Sequence, residues 1–455
     1  MSLNGDPMFN KVLIANRGEI AIRVIRACKE MGIDTVAVFS EADRESLHVK
    51  MADEAVCIGP PNAGQSYLNM SNILSAAVQR DVDAIHPGFG FLSENSEFAH
   101  MCEEVGIKFI GPSSDAIARL GNKSLAKQLM AKHGVPVIPG PDQGFTDPEK
   151  ALQEVKNIGF PLLIKAVAGG GGRGIRLIED EAAFVSAFQE ASHEADIAFN
   201  DPHMYVEKFF ESPKHIEIQV IADEHGNCIH LGERDCSSQR RKQKVIEETP
   251  SPAMDAEKRK NIGHKVTQAL KQLNYTNAGT VEFLYENGRF YFMEMNTRIQ
   301  VEHPITEVTT STDIVKEQIR IAAGAKLSWK QSQISWNNHA IECRINAEDP
   351  DKNFMPYAGK IHNVVFPSGP GIRIDSGIYP GAEISPYYDS MVAKVIAYDN
   401  TRKQAIARMI RAMEEFSING IKTNKDFLIR ILSSDSFLRG DYSINFIEKE
   451  LLQKS

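Results

Sequence analysis

Glu294, Asn296, Arg298, Gln300 and Glu302 occupy every second position of the stretch EMNTRIQVE, and Glu282 stands twelve residues before Glu294. Successive side chains of an extended segment point to opposite faces, so these five could share one. Four oxygen-bearing groups would then converge with one guanidinium. Buried charges need partners or metals, so such a gathering reads as an active site.

Glu282 joins the group through a hairpin. The segment TVEFLYENGRFYFMEMN holds two strand-like runs around the turn signal Asn287-Gly288. A two-residue turn would pair Glu282 with Met293 and send Glu294 to the other face. A three-residue loop, Asn287 to Arg289, pairs Glu282 directly with Glu294. That register puts Val281, Phe283, Tyr285, Tyr291, Met293 and Met295 on one face, and Glu282, Leu284, Phe292, Glu294 and Asn296 on the other. The cleaner apolar sorting favours it, because a one-residue slip flips every side chain. Two facing carboxylates repel, which implies a cation between them. Glu282, Glu294 and Asn296 offer oxygen only, suiting Mg²⁺ or Mn²⁺ completed by substrate phosphates.

The run Gly169–Gly174, interrupted only by Arg173, is the second signal. It lacks the G-K-[ST] of a P-loop and precedes a strand rather than a helix. A flexible lid whose backbone N–H groups fold over phosphates is the reading this placement supports. Lys165, just before the glycines, could reach phosphate oxygens, and phosphoryl transfer needs such positioning and neutralising groups. The basic stretch Gln239–Lys244 lies between strand-like segments and could supply cations to a small anion. His215 and Glu217 share a strand face and read as a surface ladder.

Around these motifs the 455 residues suggest two or three domains. The first ~115 residues alternate strand and helix, as in an open parallel α/β domain. Its strand-to-helix turn, N-R-G-E, lacks the dinucleotide fingerprint. A helix opens at Lys123, and VPVIPGPDQG punctuates the chain after it. Strands PLLIKAVA, IRLIED and MYVEKFF, with a helix over roughly 180–196, make the middle an antiparallel-rich α+β domain. From ~335, short strands (HAIECRINAE, GKIHNVVFP, SMVAKVIAYD) and helices at 402–416 and 423–433 form a third, mixed unit.

Net charge is −9, which gives no support for nucleic-acid or anionic-membrane binding. No apolar run approaches the roughly 20 residues a bilayer span needs. The six cysteines lack any C-x-x-C pair and fit a reducing cytoplasm. Residues 1–7 read as a tag or disordered start, with no signal peptide after them.

Taken together, IANRGEIA, HPGFGFLSEN, IKAVAGGGGRG, HIEIQV, ERDCSSQRRKQK, EFLYENGRFYFMEMNTRIQVEHPITE and ECRINAEDP resemble the biotin carboxylases, ATP-grasp components of biotin-dependent carboxylases. The resemblance runs from about residue 9 to the end. It implies an N-terminal parallel α/β domain (8–121), a central ATP-grasp domain (122–334) with a mobile glycine-rich lid at about 138–209, and a C-terminal mixed α/β domain (335–455). Length suggests the stand-alone subunit of a bacterial acetyl-CoA carboxylase, serving fatty acid synthesis. With no A-M-K-M type sequence in the chain, the biotin would ride on a separate biotin carboxyl carrier protein, beside carboxyltransferase subunits. A homodimer is also implied.

The resemblance assigns Lys123, Lys165, Gly171, Gly172 and His215 to ATP phosphate or ribose, Glu207, Lys208, Phe209 and Phe210 to the adenine side, and Gln239, Lys242 and Leu284 to further nucleotide contacts. Glu282, Glu294 and Asn296 become ligands of two Mg²⁺ ions. Lys244, Arg298, Gln300 and the Val301 backbone become the bicarbonate site, Glu302 the general base, and Arg344 the contact to the biotin ureido oxygen. Lys242 stands where the family usually has histidine. Phe89 replaces the tyrosine of HPGYG near the biotin pocket. Other ATP-grasp ligases, of the carbamoyl-phosphate or purine-pathway kind, would share the nucleotide parts but need another acceptor site. A silent nucleotide-binding regulator would not need the intact set Glu282, Glu294, Asn296, Arg298, Glu302 and Lys244, and a scaffold leaves the polar clustering unexplained.

Overall fold

A computed structural model describes residues 8–141, 143–166, 175–199 and 201–452. Within these the chain forms two compact units, one of residues 8–122, 214–282 and 294–452, the other of 123–213 and 283–293. The glycine run, with Gly171 and Gly172, lies outside the described residues.

The first unit opens with a five-stranded parallel sheet, β1 (Lys11–Ile14), β2 (Asp34–Ser40), β3 (Glu54–Gly59), β4 (Ala84–His86) and β5 (Lys108–Phe109), in the order β3-β2-β1-β4-β5. The alternation expected of the first ~115 residues is therefore real. Helices Gly18–Glu30, Met70–Gln79 and Ser96–Glu104 cross between these strands. The latter two begin where Asn69 and Asn95 side chains accept from backbone N–H groups three residues on. The loop carrying Phe89 is pinned to the first turn, because Asn16 Nδ2 donates to the carbonyls of Pro87 and Phe89, both at 2.7 Å. Gly88 permits this approach: its φ is +63°, and a Cβ there would meet Asn16 Nδ2 at 2.9 Å.

In the second unit, β6 (Leu162–Ala166), β7 (Ile175–Ile178) and β8 (Met204–Lys208) form an antiparallel sheet in the order β7-β6-β8. It packs on a core that includes Phe145, Val155, Leu162, Ile164, Phe184, Phe188 and Val206. The helix expected over 180–196 instead spans Phe184–Phe199, because Asp180 first closes a turn by accepting from the Ala183 N–H.

The large sheet of the molecule contains β9 (Lys214–Ala222), β10 (Cys228–Arg240), β11 (Gln243–Thr249), β12 (Asn277–Glu286), β13 (Arg289–Asn296), β14 (His339–Asn346), β15 (Ile372–Ser376) and β16 (Met391–Asp399). Its order is β13-β12-β9-β10-β11-β14-β16-β15. Strands β14, β15 and β16 thus extend the central sheet, through pairs such as Ile246↔Cys343. The expected strand GKIHNVVFP is broken: Gly359–Lys360 pairs with Glu383–Ile384, and Asn363–Val365 pairs with Ser417–Asn419. Buried Ile361 marks the change of partner.

The β12–β13 turn corrects the expected hairpin. β12 ends at Glu286 and β13 starts at Arg289, leaving a two-residue turn with φ of +51° at Asn287 and +78° at Gly288. The Phe283 ring accordingly meets those of Phe290 and Phe292, at 5.7 and 6.3 Å between centroids. Direct opposition of Glu282 and Glu294 therefore loses its basis. The tight turn wins because Asn and Gly both tolerate positive φ.

Candidate active site

One half-buried lysine organises the candidate site. Lys244, on β11, donates to Glu302 Oε1 at 2.6 Å, Glu217 Oε2 at 2.7 Å and Glu282 Oε1 at 3.1 Å. These carboxylates come from the start of helix His303–Thr310, from β9 and from β12. Burial alone would lower the lysine pKa, but the three acids outweigh it and raise it well above the ordinary value. Burial likewise opposes ionisation of Glu302 and Glu282, yet their cationic neighbours hold both well below the usual carboxylate range.

Two arginines complete the cluster. Arg234, on β10 and fully buried, donates to Glu217 Oε1 and Gln300 Oε1 (both 2.5 Å), Gln219 Oε1 (2.6 Å), Thr306 Oγ1 (3.0 Å) and Thr280 Oγ1 (3.2 Å). Arg344, on β14, donates to Glu247 Oε1 at 2.6 Å and Glu302 Oε2 at 2.9 Å. Four acids, Glu217, Glu247, Glu282 and Glu302, thus meet three fixed cations. Glu247 behaves as the surplus acid: burial pushes its carboxyl up to about 7, against the pull of Arg344.

The extended spacing of residues 294–302 holds only to Asn296, where β13 ends. Residues 297–302 turn into the helix that follows, and Glu302 has a φ of −82° and ψ of 11°. Convergence survives by another route. Asn296 Nδ2 and Gln300 Nε2 donate to Glu282 Oε1 at 2.9 and 2.7 Å, while Thr297 and Ile299 are fully buried between them. Arg298 is held by Glu94 Oε2 and Asn296 Oδ1, both at 2.9 Å. Glu294 is half-buried on β13. His215 Nε2 lies 3.1 Å from Glu282 Oε2, and its Nδ1 lies 2.9 Å from Gln239 Nε2. The Val301 carbonyl accepts from Lys394 at 2.8 Å.

Other expected residues have their own surroundings. Of the basic stretch 239–244, Arg241 and Lys242 form a two-residue hairpin turn with positive φ, and Lys242 is exposed. Arg240 stacks on Phe354 and pairs with Glu348, so only Gln239 and Lys244 face the site. In the second unit, Lys123 opens the helix Lys123–Lys132 and Lys165 pairs with Glu207. Lys208 Nζ donates to the Gly159 and Phe160 carbonyls at 3.0 Å. The Phe209 N–H donates to the Pro161 carbonyl, Phe210 packs against Tyr291 with the rings tilted by 41°, and Leu284 is half-buried.

Sequence reasoning missed Arg234, Glu247 and Glu94, and took Glu217 for part of a surface ladder. Glu217 is instead fully buried and bridges Arg234 to Lys244. No local pattern announces Arg234: strand segment GERDCSSQR has one apolar side chain, Cys236, yet is buried throughout, so its polar groups partner one another.

The ends of the chain decide its family. Residues 8–117 match the family Biotin carboxylase, N-terminal domain, and 342–449 match the Biotin carboxylase C-terminal domain. Residues 122–330 match the Carbamoyl-phosphate synthase L chain, ATP binding domain. The chain belongs to the biotin carboxylase family. Biotin carboxylase 1 of Bacillus subtilis (strain 168) is 54% identical over 443 residues, 97% of this chain and 98% of that protein. A pyruvate carboxylase subunit from Methanothermobacter thermautotrophicus is 52% identical over 442 residues, 97% of this chain and 90% of that one. The biotin carboxylase domain dimer of Hydrogenobacter thermophilus 2-oxoglutarate carboxylase, solved with MgADP, ADP and bicarbonate, aligns with a TM-score of 0.89 at 50% identity, covering 97% of this chain and 98% of that one. The architecture is that of a three-domain biotin carboxylase with an ATP-grasp domain, an ATP-dependent ligase. Among the described residues no helix is long and apolar enough to cross a membrane.

Proposed function

We propose that this biotin carboxylase couples ATP cleavage to carboxylation of biotin held on a separate carrier protein, with bicarbonate as the carbon source. The observation that carries this reading is the triad Lys244–Glu302–Arg344, in which one carboxylate is shared between two cations. Glu302 is ionised and positioned to take the bicarbonate proton. Held by both cations it is a weak base, so an incoming anion must draw at least one of them away to restore its basicity. Arg298 and Gln300 orient the bicarbonate, together with the Val301 backbone. Lys244 offsets the charge that builds as the bicarbonate oxygen attacks the γ-phosphoryl group. Carboxyphosphate and ADP result.

Carboxyphosphate then breaks to CO₂ and phosphate. That phosphate takes the ureido N–H proton of biotin, Arg344 stabilises the enolate-like oxygen, and the nitrogen attacks CO₂. Phe89, on the loop pinned by Asn16, lies on the biotin side of this reading. Lys123, Lys165, Glu207 to Phe210, Leu284, His215, Gln239 and the glycine run 169–174 serve the nucleotide, the last as a lid that excludes water.

Glu282, Glu294 and Asn296 would hold Mg²⁺ or Mn²⁺. Their donor set is oxygen-only, and Glu282 keeps its charge although buried, which fits a hard cation. Bound there, the metal would neutralise phosphate charge. Asn296 Oδ1 and Glu282 Oε1 are engaged by Arg298, Lys244 and Gln300, so these side chains would yield contacts to it.

We further assign the carrier, the carboxyltransferase subunits, a homodimer and a cytoplasmic setting to this chain. Six free cysteines support the last. Acetyl-CoA is the acceptor we favour for the wider complex. The identity to a component of a pyruvate carboxylase keeps other acceptors in view. The test is ATP cleavage by the purified chain: it should require bicarbonate and rise with free biotin. ATP turnover indifferent to bicarbonate, or ATP binding with no turnover, would overturn the assignment.

A further inference from the structure

Lys394 is a fully buried lysine in the middle of β16. Its Nζ donates to the Val301 carbonyl at 2.8 Å, lies 3.1 Å from Glu19 Oε1 on helix Gly18–Glu30, and lies 3.9 Å from Asp375 Oδ2 on β15. In the sheet it sits directly opposite Arg344 on one side and Asp375 on the other. Burial would strip its proton, but Glu19, Glu342 and Asp375 keep it charged. An isolated buried ammonium is costly, and a hydrophobic residue of similar volume often serves stability as well or better. Stability alone is therefore a weak account of this lysine.

Its neutral acceptor, the Val301 carbonyl, is the informative one. The peptide is planar, so fixing the direction of the Val301 carbonyl also fixes the N–H of Glu302 on the other side of that bond. Glu302 begins the helix His303–Thr310, with Gln300 two residues before it. Lys394 is therefore bonded to the segment whose side chains meet Lys244, Arg344, Arg234 and Glu282.

We propose that Lys394 is a positioning residue for bicarbonate: through the Val301 carbonyl it fixes the Gln300–Glu302 segment, with Glu19 and Asp375 as its counter-ions. The proposal rests on the reading of that segment as the bicarbonate site. It ties that segment to a helix of the N-terminal domain and to two C-terminal strands. The nucleotide side, by contrast, should not depend on it.

Lys394→Met and Glu19→Gln, made in the full chain, separate these roles through the Michaelis constants of bicarbonate-dependent ATP cleavage. Lys394→Met should raise the KM for bicarbonate about tenfold or more, the cost of a lost charged hydrogen bond, while the KM for ATP stays within about twofold. Glu19→Gln should change them in the same direction by less. Should Lys394→Met fail to fold, Glu19→Gln decides alone. An unchanged bicarbonate KM, or both constants moving together in step with lost thermal stability, would overturn the proposal. A parent chain that cleaves ATP without bicarbonate would instead overturn the reading of the site, so the two failures stay distinct.

Discussion

Glu247 and Glu302 share the Arg344 guanidinium, at 2.6 and 2.9 Å, yet their carboxyls are driven in opposite directions. Both lose hydration on burial. Glu302 also has Lys244 and Arg234 near it and falls well below the usual range, whereas Glu247 rises to about 7 with Glu302 as a repelling neighbour. One acid is held ionised by its cations; the other gives up its proton only near neutral pH.

The first expected outcome concerns stability and pH. Between the ordinary carboxylate value of 4.5 and about 7, native Glu247 binds more proton than the unfolded chain does, so its contribution to stability falls as pH rises through that window. Glu302 acts oppositely: its contribution is present above the ordinary value and is lost as pH drops through its depressed native one. Glu247→Gln should therefore improve thermal stability relative to the parent more at pH 8 than at pH 5, by at most about 3 kcal/mol. Melting curves at the two pH values check this, and an equal offset at both would contradict the raised carboxyl.

Glu302→Gln should lower bicarbonate-dependent ATP turnover by at least ~10²-fold, the low end for a general base. Glutamine keeps an acceptor for Lys244, so binding of an ATP analogue should change little. Calorimetric titration beside steady-state kinetics separates the two. Near-normal turnover would remove Glu302 from the role of base.

Arg344→Ala bears on the acceptor half of the reaction. Because Arg344 also holds Glu302, ATP cleavage should fall too, but carboxylation of free biotin should fall roughly tenfold further, the scale of one charged hydrogen bond to the ureido oxygen. Both are measured in one coupled assay. Equal losses would mean that Arg344 acts only through Glu302.

The βα alternation of the first ~115 residues was legible because each buried parallel strand is a short apolar run and each helix keeps its own period. Glu282, Lys244, Gln300, Glu302 and Arg344 were legible through motif and resemblance. The hairpin register was not: apolar sorting favoured a longer loop, while Asn287 and Gly288 settle into the tight turn their positive φ values allow. Nor was the end of β13 at Asn296, since alternation on paper cannot reveal where a strand bends into a helix. Arg234 and Glu217 were hidden for a different reason. Their burial is set by strands far apart in sequence, and charged residues on a strand read locally as solvent-facing.

That hidden pair yields a prediction in stability. Arg234 is fully buried and donates to five side chains, and Glu217 is its nearest charge. Arg234→Met would strand Glu217 with Lys244 alone and leave the Gln300 oxygen without this donor. Breaking a buried pair by removing one partner typically costs about 3–5 kcal/mol. Glu217→Gln alone should also destabilise, since it leaves the guanidinium without its carboxylate. The double variant, Arg234→Met with Glu217→Gln, should lose less than the sum of the two single losses, because neither charge then remains uncompensated. Denaturant unfolding of the four proteins measures the coupling. Strict additivity would mean that Arg234 and Glu217 contribute independently, and that the cluster around Lys244 is a set of separate contacts rather than one electrostatic unit.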